Sequence, residues 1–198
     1  MKKIILLLLF TAYSISYSHS QTVKISNGLV LSHMDSQKFD FLNQTINLYS
    51  LFIGCDYLEN NYYYLSSELG FTQKGGMENT QILGRQIEKF NYLQINTTFR
   101  LKLPYNNSHI YVGVGPSIEY IISSNKFKTC YYKNAEYKMN KVNPGCKLET
   151  GFVQNIDRIR IGLNYNYILT INGVGKSQYN KIKNTSHNFS ISIGYNLK

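Results

Sequence analysis

Along most of this chain apolar and polar residues alternate one by one, the period of a half-buried strand rather than that of a helix. The last segment is the clearest. Phe189, Ile191, Ile193, Tyr195 and Leu197 share one face, and Asn188, Ser190, Ser192, Gly194 and Asn196 share the other. A segment further up the chain repeats it, with Ile159, Ile161, Leu163, Tyr165, Tyr167, Leu169 and Ile171 opposed to Arg158, Arg160, Gly162, Asn164 and Asn166. Leu93, Ile95, Thr97, Phe99, Leu101 and Leu103 oppose Gln94, Asn96, Thr98, Arg100 and Lys102. Ile110, Val112, Val114, Ile118, Tyr120 and Ile122 oppose Gly113, Gly115, Ser117 and Glu119. The first three segments are less regular. Val30 falls on the polar face of the first, Phe52 interrupts the second, and Tyr64, Ser66, Glu68 and Gly70 form the polar face of the third.

This pattern predicts eight strands, near 22–32, 40–57, 61–72, 90–103, 109–123, 145–155, 158–171 and 187–198. Long connections (33–39, 73–89, 124–144, 172–186) alternate with short ones (58–60, 104–108, 156–157). Short turns at one end and long loops at the other belong to an up-and-down barrel in an outer membrane. The fold expected is therefore all-β, an eight-stranded antiparallel up-and-down transmembrane β-barrel. A soluble sheet would alternate as well, so the alternative is a lipocalin-like carrier with its apolar face inside. Three features favour lipid: polar faces rich in Gly, Ser and Asn, apolar faces unbroken over five to seven alternate positions, and long loops gathered at one end.

Met1 to Ser20 reads as a secretory signal peptide, with Lys2 and Lys3, an apolar run from Ile4 to Phe10, and small polar residues up to Ser20. Cleavage near Ser20–Gln21 leaves a single barrel domain over 21–198. It lowers Lys+Arg from 21 to 19 against 11 Asp+Glu, so the mature charge is +8 rather than +10. No stretch reaches the length of a membrane-crossing helix, but barrel strands need only about 9–11 residues each. Tyrosine, 18 residues against no tryptophan, suits strands and a membrane interface. Cys55, Cys130 and Cys146 are an odd set. Export makes one pair feasible, with Cys130 and Cys146 flanking the longest loop; the alternative is free thiols.

Several motifs are similar to those of a known family. Phe71-Thr-Gln-Lys-Gly-Gly76 resembles a strand end that opens a long loop, and Tyr92-Leu-Gln-Ile resembles a fourth-strand signature. Tyr111-Val-Gly-Val-Gly-Pro116 and Gly162-Leu-Asn-Tyr-Asn-Tyr-Ile-Leu-Thr170 resemble fifth and seventh strands. Together, over about residues 22–198, they resemble the Bacteroidota outer-membrane β-barrel family, called porin-family or PorT-like. The resemblance implies an eight-stranded outer-membrane barrel with no shared catalytic residues. One departure is the ending Tyr195-Asn-Leu-Lys198, where such barrels often finish on an aromatic residue.

Eight strands enclose a space filled by side chains. The inward charges expected are Glu68, Arg100, Lys102, Glu119, Lys147, Glu149, Arg158 and Arg160, paired into a plug, since unpaired charge there is costly. The alternative is a narrow path with an anion preference. His33 and His187, with Asp35 and Asp40, form a conceivable rim site, but no nucleophile elbow or metal-ligand spacing accompanies them. No enzyme activity, metal or cofactor is therefore expected. Lysines gather instead in two long loops: Lys126, Lys128, Lys133, Lys138 and Lys141 in one, Lys176, Lys181 and Lys183 in the other. Basic clusters attract polyanions. The partners expected are outer-membrane lipid and lipopolysaccharide, with a surface polyanion or envelope protein as candidates. Nucleic acid is not expected, and the barrel is expected to be monomeric. The roles that follow are envelope support or surface interaction through the loops, a small pore or an accessory to a transport or secretion system, or the soluble carrier.

Overall fold

The computed structural model describes residues 21–36, 42–81, 84–123, 126–128, 138–171, 173–176 and 181–197. The expected signal peptide at 1–20, Cys130 and Lys133 lie outside the described residues. The strands are β1 (Thr22–Ser36), β2 (Ile46–Tyr57), β3 (Tyr63–Thr80), β4 (Gly84–Tyr105), β5 (Ser108–Ile121), β6 (Lys138–Met139), β7 (Val142–Ile156), β8 (Ile159–Thr170), β9 (Gly175–Lys176) and β10 (Lys181–Asn196). Eight of them, all but the two-residue β6 and β9, form an antiparallel ring in the order β1-β2-β3-β4-β5-β7-β8-β10. β1 closes it by pairing with β10 from Thr22↔Asn196 to Ser36↔Ile182. β9 pairs with the upper end of β10, and β6 pairs with β9.

The short connections are tight. Tyr105 pairs with Ser108 and Ile156 with Ile159, leaving two-residue loops at Asn106–Asn107 and Asp157–Arg158. Asn106 and Asp157 take positive φ of 50° and 52°, a region that Asn and Asp tolerate because their side chains bond locally. The first long connection runs over 37–45 rather than 33–39, because β2 begins at Ile46 and not near 40, while others are shorter than expected because strands grow into them. The segment expected as loop 73–89 is a hairpin paired from Gln73↔Asn91 to Thr80↔Gly84. Phe71–Gly76 therefore continues a strand rather than opening a loop. Likewise β1 extends to Ser36, and β10 begins at Lys181.

The apolar faces point outward. Ile25, Ile53, Ile95, Val112, Leu163 and Ile193 are all more than half exposed. The interior carries Lys24, Glu68, Arg100, Lys147, Glu149 and a lining of Ser, Thr, Asn and Gln. The order is opposite to that of a soluble carrier, which needs its apolar residues inside. The two residues that broke the alternation are inward, not misplaced. Val30 packs with Ile46 and Leu48 inside the wall. Phe52 lies where any side chain on Gly70 would be, 2.4 Å from the place of its Cβ. Cys146 is a free thiol, not one half of a bridge. It lies between the inward Gly145 and Lys147, on the outer face of β7.

Gly115 marks a place where two strands touch. Pairing between β4 and β5 passes from Asn96↔Ser117 to Phe99↔Val114, skipping Gly115 and Pro116, and Pro116 has no N–H to offer a ladder. A Cβ on Gly115 would lie 1.9 Å from the Thr97 carbonyl oxygen. Gly115→Val should lower stability by about 2 kcal/mol or more, read as a shifted urea midpoint of the detergent-folded protein. Outward-facing Val114→Ile should change it by less than about 0.5 kcal/mol. Equal midpoints for the two variants would count against this packing.

Candidate functional site: the lumen and its extracellular end

The lumen is divided along its length. Towards the short turns it holds a continuous ion-pair network. Lys24 contacts Asp56 at 2.9 Å and Glu68 at 3.0 Å. Lys147 contacts Glu68 at 2.6 Å and Glu149 at 2.9 Å. Arg100 donates from Nε to Glu149 and from Nη2 to Glu68 at 3.2 Å, and lies 3.7 Å from Asp56. Arg160 reaches Asp56 at 3.4 Å and Glu59 at 2.8 Å, and Lys102 reaches Glu59 at 2.6 Å. Each charge is bought out of water only because several opposite charges surround it, which is the condition under which buried ions persist.

Arg100 sits at the centre, 3 % exposed. Its guanidinium lies 4.6 Å from the Tyr111 ring centre and 5.5 Å from that of Tyr64, a cation between two aromatic faces. Room for this arrangement comes from glycine. A Cβ on Gly113 would sit 2.8 Å from the Glu149 side chain, and one on Gly151 would sit 2.6 Å from the Tyr111 ring. The Tyr111 hydroxyl then donates to Asn164 Oδ1 at 2.7 Å, locking the ring in place.

The sequence-expected charges divide into three groups. Glu68, Arg100, Lys102, Lys147, Glu149 and Arg160 meet in one network. Glu119 is buried but apart from it, held by Lys74 at 2.7 Å higher in the barrel. Arg158 is a correction. It sits exposed in the two-residue β7–β8 turn, where its Nη1 donates to the Tyr195 hydroxyl at 3.3 Å. The turn shifts the parity of the strand, so alternation counted back from Arg160 fails there. Sequence reasoning missed Lys24, Asp56, Glu59 and Lys74 as members. Lys24 shares the parity of Ser26 and Asp56 that of Ser50, so continued alternation could have found both. Glu59 lies past a strand end and Lys74 in a segment expected as loop, where parity gives no guide.

The opposite end of the lumen is closed by apolar side chains. Met34, Leu42, Phe90, Tyr92, Ile121, Phe127, Met139, Val174 and Ile182 form one buried cluster. Phe90 and Phe127 meet edge to face at 5.2 Å. Backbone bonds stitch the loops to the strands: Met34 N–H to Leu42 O at 3.1 Å, Asn140 N–H to Val174 O at 2.7 Å, and Val174 N–H to Ile182 O at 2.9 Å. Leu42 holds its place at a positive φ of 49°, a conformation costing roughly 1–2 kcal/mol for a residue of this shape, while fully burying its side chain.

Outside this cap lie the loop lysines. Lys126, Lys128, Lys138, Lys141, Lys181 and Lys183 are exposed. The Lys128 N–H donates to Glu88 at 2.9 Å, Lys183 stands opposite Asp35, and Lys176 lies on β9. His33 and His187 are on the outer wall at neighbouring registers of β1 and β10, not in loops. His33 meets Asp35 at 3.3 Å, and His187 accepts or donates a bond to the Tyr165 hydroxyl at 2.8 Å. The third histidine, His109, faces inward. Among the described residues no cluster of ligating side chains suits a metal ion.

No family model matches the chain, and no curated protein matches it. Solved structures do. The crystal structure of OprG from Pseudomonas aeruginosa aligns over 90 % of this chain and 95 % of its own, at 12 % identity and a TM-score of 0.60. Neisserial surface protein A aligns over 89 % and 98 %, at 14 % identity and a TM-score of 0.56. The chain has the outer-membrane β-barrel fold. Ail of Yersinia pestis, crystallised with the heparin analogue sucrose octasulfate, aligns over 89 % and 99 % at 14 % identity and a TM-score of 0.50. Identities this low show the fold and nothing finer.

Two predictions follow from the lumen geometry. Arg100→Met leaves the carboxylates of Glu149 and Glu68 without their central cation and should cost about 3–5 kcal/mol, measured by urea unfolding in detergent. Adding Glu149→Gln should recover part of that loss, and additive losses would argue against a shared network. Glu59 lies in the β2–β3 turn, beyond the strands. Burial opposes its ionisation, but Arg160 and Lys102 outweigh it and hold the carboxyl below its ordinary value. A depressed folded value gives stability that is present above the unfolded pKa and lost as pH falls through the folded one. The difference in stability between wild type and Glu59→Gln should therefore be largest above pH about 4.3 and shrink on acidification below it. A difference that grows towards acid would contradict the assignment.

Proposed function

We propose that this chain is a non-enzymatic integral outer-membrane barrel of the porin-family, PorT-like kind, exported by its cleaved N-terminal segment, that works at the cell surface through its basic extracellular loops. One observation carries the reading. The lumen is filled by paired charge below and apolar side chains above, so the chemistry left available lies on the loop side of the cap. The outer wall supports a membrane setting. Outward positions from Ile159 along β8 to Ile171 just past its end are apolar, and such a band suits the hydrocarbon thickness of about 25 Å. A shallow cleft of about 730 Å³ on that wall, lined by Leu29, Ile110, Phe152, Leu163, Phe189 and Ile191, offers lipid chains a seat.

The partners that fit are lipid and lipopolysaccharide along the wall and a polyanion at the lysines. Ail, of the same fold, holds a polysulfated sugar in its crystal, which makes a sulfated ligand reasonable to test here. A pore or an accessory role in transport is the second reading, and it is disfavoured by the two closures of the lumen.

The experiment begins with gel migration of the detergent-folded mature chain, which should shift on boiling. Planar bilayers should then show no steady nanosiemens-scale step; such a step would establish the pore instead. Replacing Lys126, Lys128, Lys181 and Lys183 with Gln should abolish salt-sensitive polyanion binding, since exposed charges act through screened attraction. Unchanged binding would sink the loop assignment.

A further inference from the structure

The outer wall carries a polar side chain where the surrounding band is apolar. Along β1 the outward residues are Val23, Ile25, Asn27, Leu29 and Leu31, so Asn27 stands mid-band with about 13 Å of strand on either side. It is exposed, and its register neighbours, Leu51 on β2 and Ile191 on β10, are exposed apolar side chains. Its amide offers two N–H donors and an oxygen acceptor. Among the described residues its side chain makes a single hydrogen bond, from Nδ2 to the Tyr49 hydroxyl at 3.1 Å. Turning the amide over only exchanges which half is used. Other outward polar groups of the wall are satisfied within the chain. Ser67 bonds the Tyr57 and Thr97 hydroxyls at 2.9 Å each, and Thr150 donates to the Tyr111 carbonyl at 2.9 Å.

Lipid tails hold neither donor nor acceptor, and no water reaches the bilayer core. The group that completes the Asn27 amide at this depth therefore comes from protein. A second copy of this chain supplies it. Copies inserted the same way up are related by rotation about the membrane normal, which keeps every residue at its own depth. A two-fold axis beside β1 then brings Asn27 to Asn27, as an isologous contact requires. An amide is also its own complement, since the oxygen of each accepts from the nitrogen of the other. The shape of the wall agrees. A shallow cleft of about 730 Å³ begins at Asn27 and follows the register row Ile191, Leu163, Phe152 and Ile110 away from β1. On the other flank Tyr49, Leu51 and Ile53 of β2 stand exposed as a ridge. A two-fold axis sets the left flank of one molecule against the right flank of the other, so each ridge meets the other copy's cleft.

We propose that the β1 wall is a two-fold interface between two copies of this barrel in the membrane, closed at its centre by reciprocal hydrogen bonds between the two Asn27 amides. This rests on the outer wall meeting lipid, which boiling-dependent gel migration tests by itself; in a single barrel, lipid chains fill the cleft. The experiment is sedimentation equilibrium of the detergent-folded mature chain in density-matched micelles. Wild type should show a monomer–dimer equilibrium. Asn27→Leu keeps the wall apolar and should weaken dimerisation about tenfold, the scale of hydrogen bonds between side chains within a membrane. Asn27→Gln keeps an amide and should stay within about threefold of wild type. Val112→Ala, exposed on β5 across the ring from β1, should leave the equilibrium unchanged. A wild type that migrates as a folded barrel yet stays monomeric at every concentration would overturn the interface and leave the cleft to lipid. Asn27→Leu dimerising as well as wild type, or Val112→Ala weakened as much as Asn27→Leu, would overturn the assignment to β1. A wild type without the boiling shift would overturn the membrane reading on which the interface depends.

Discussion

The whole barrel is organised around Arg100. Closing eight strands into a ring leaves an interior that only side chains can fill, and towards the short turns this chain fills it with charge. A guanidinium buried there survives only with full compensation. That need reaches outward through the sequence: Glu149 and Glu68 for charge, Tyr64 and Tyr111 for its two faces, Gly113 and Gly151 for space. Asp56, Lys24, Lys147, Arg160 and Glu59 follow, because each carboxylate shared with Arg100 takes a second cation. The partners come from β1, β2, β3, β4, β7 and β8 and from the β2–β3 turn. The network therefore ties strands far apart in sequence across the barrel, and breaking it at the centre affects the ring rather than one hairpin.

The network occupies only part of the barrel's length. Above it the pattern changes to Lys74 and Glu119, a lone pair with neither side chain more than slightly exposed. Beyond them lies the apolar cluster with the fully buried Tyr92, edged by the buried Glu88 and Asn184. Along the axis, paired charge thus gives way to a packed apolar cluster. This is the physical reason for looking to the outside of the cap for function.

Much of this was legible from period two alone. The ring of eight strands, the outward apolar face and seven of the inward charges follow from alternation and from the rhythm of the connections. What alternation could not carry was anything past a strand end. Arg158 was assigned inward because its parity matches Arg160, but the Asp157–Arg158 turn breaks the count. Lys74, with Gly75 and Gly76, falls in the segment 73–89 that the rhythm of connections marks as a loop. In the structure the two glycines are strand residues with no room for a Cβ: one would be 2.0 Å from the Glu88 carbonyl oxygen, the other 2.1 Å from that of Leu42. Glycine there marks close approach of backbones, not freedom. Val30 and Phe52 looked like defects in the pattern because it was read as polar-in; they are inward apolar groups where the lumen itself turns apolar or narrows over Gly70.

The register of the small strands, which sets Lys126 against Lys138, Lys138 against Lys176 and Lys176 against Lys181 in a row, belongs to the same account. Register is held where one face of a strand is buried, because a slip by one residue moves every side chain to the other face. On β6 a slip would bring Lys138 into the cap and expel Met139; on β10 it would do the same with Lys181 and Ile182. The apolar cluster thus fixes the alignment of charges that repel one another, and two-residue strands that could not persist alone gain their order from Met139 and Ile182 beneath them. The cap that closes the lumen is what holds the row in line: an apolar plug on one face, a positive edge on the other, set by a single alternation.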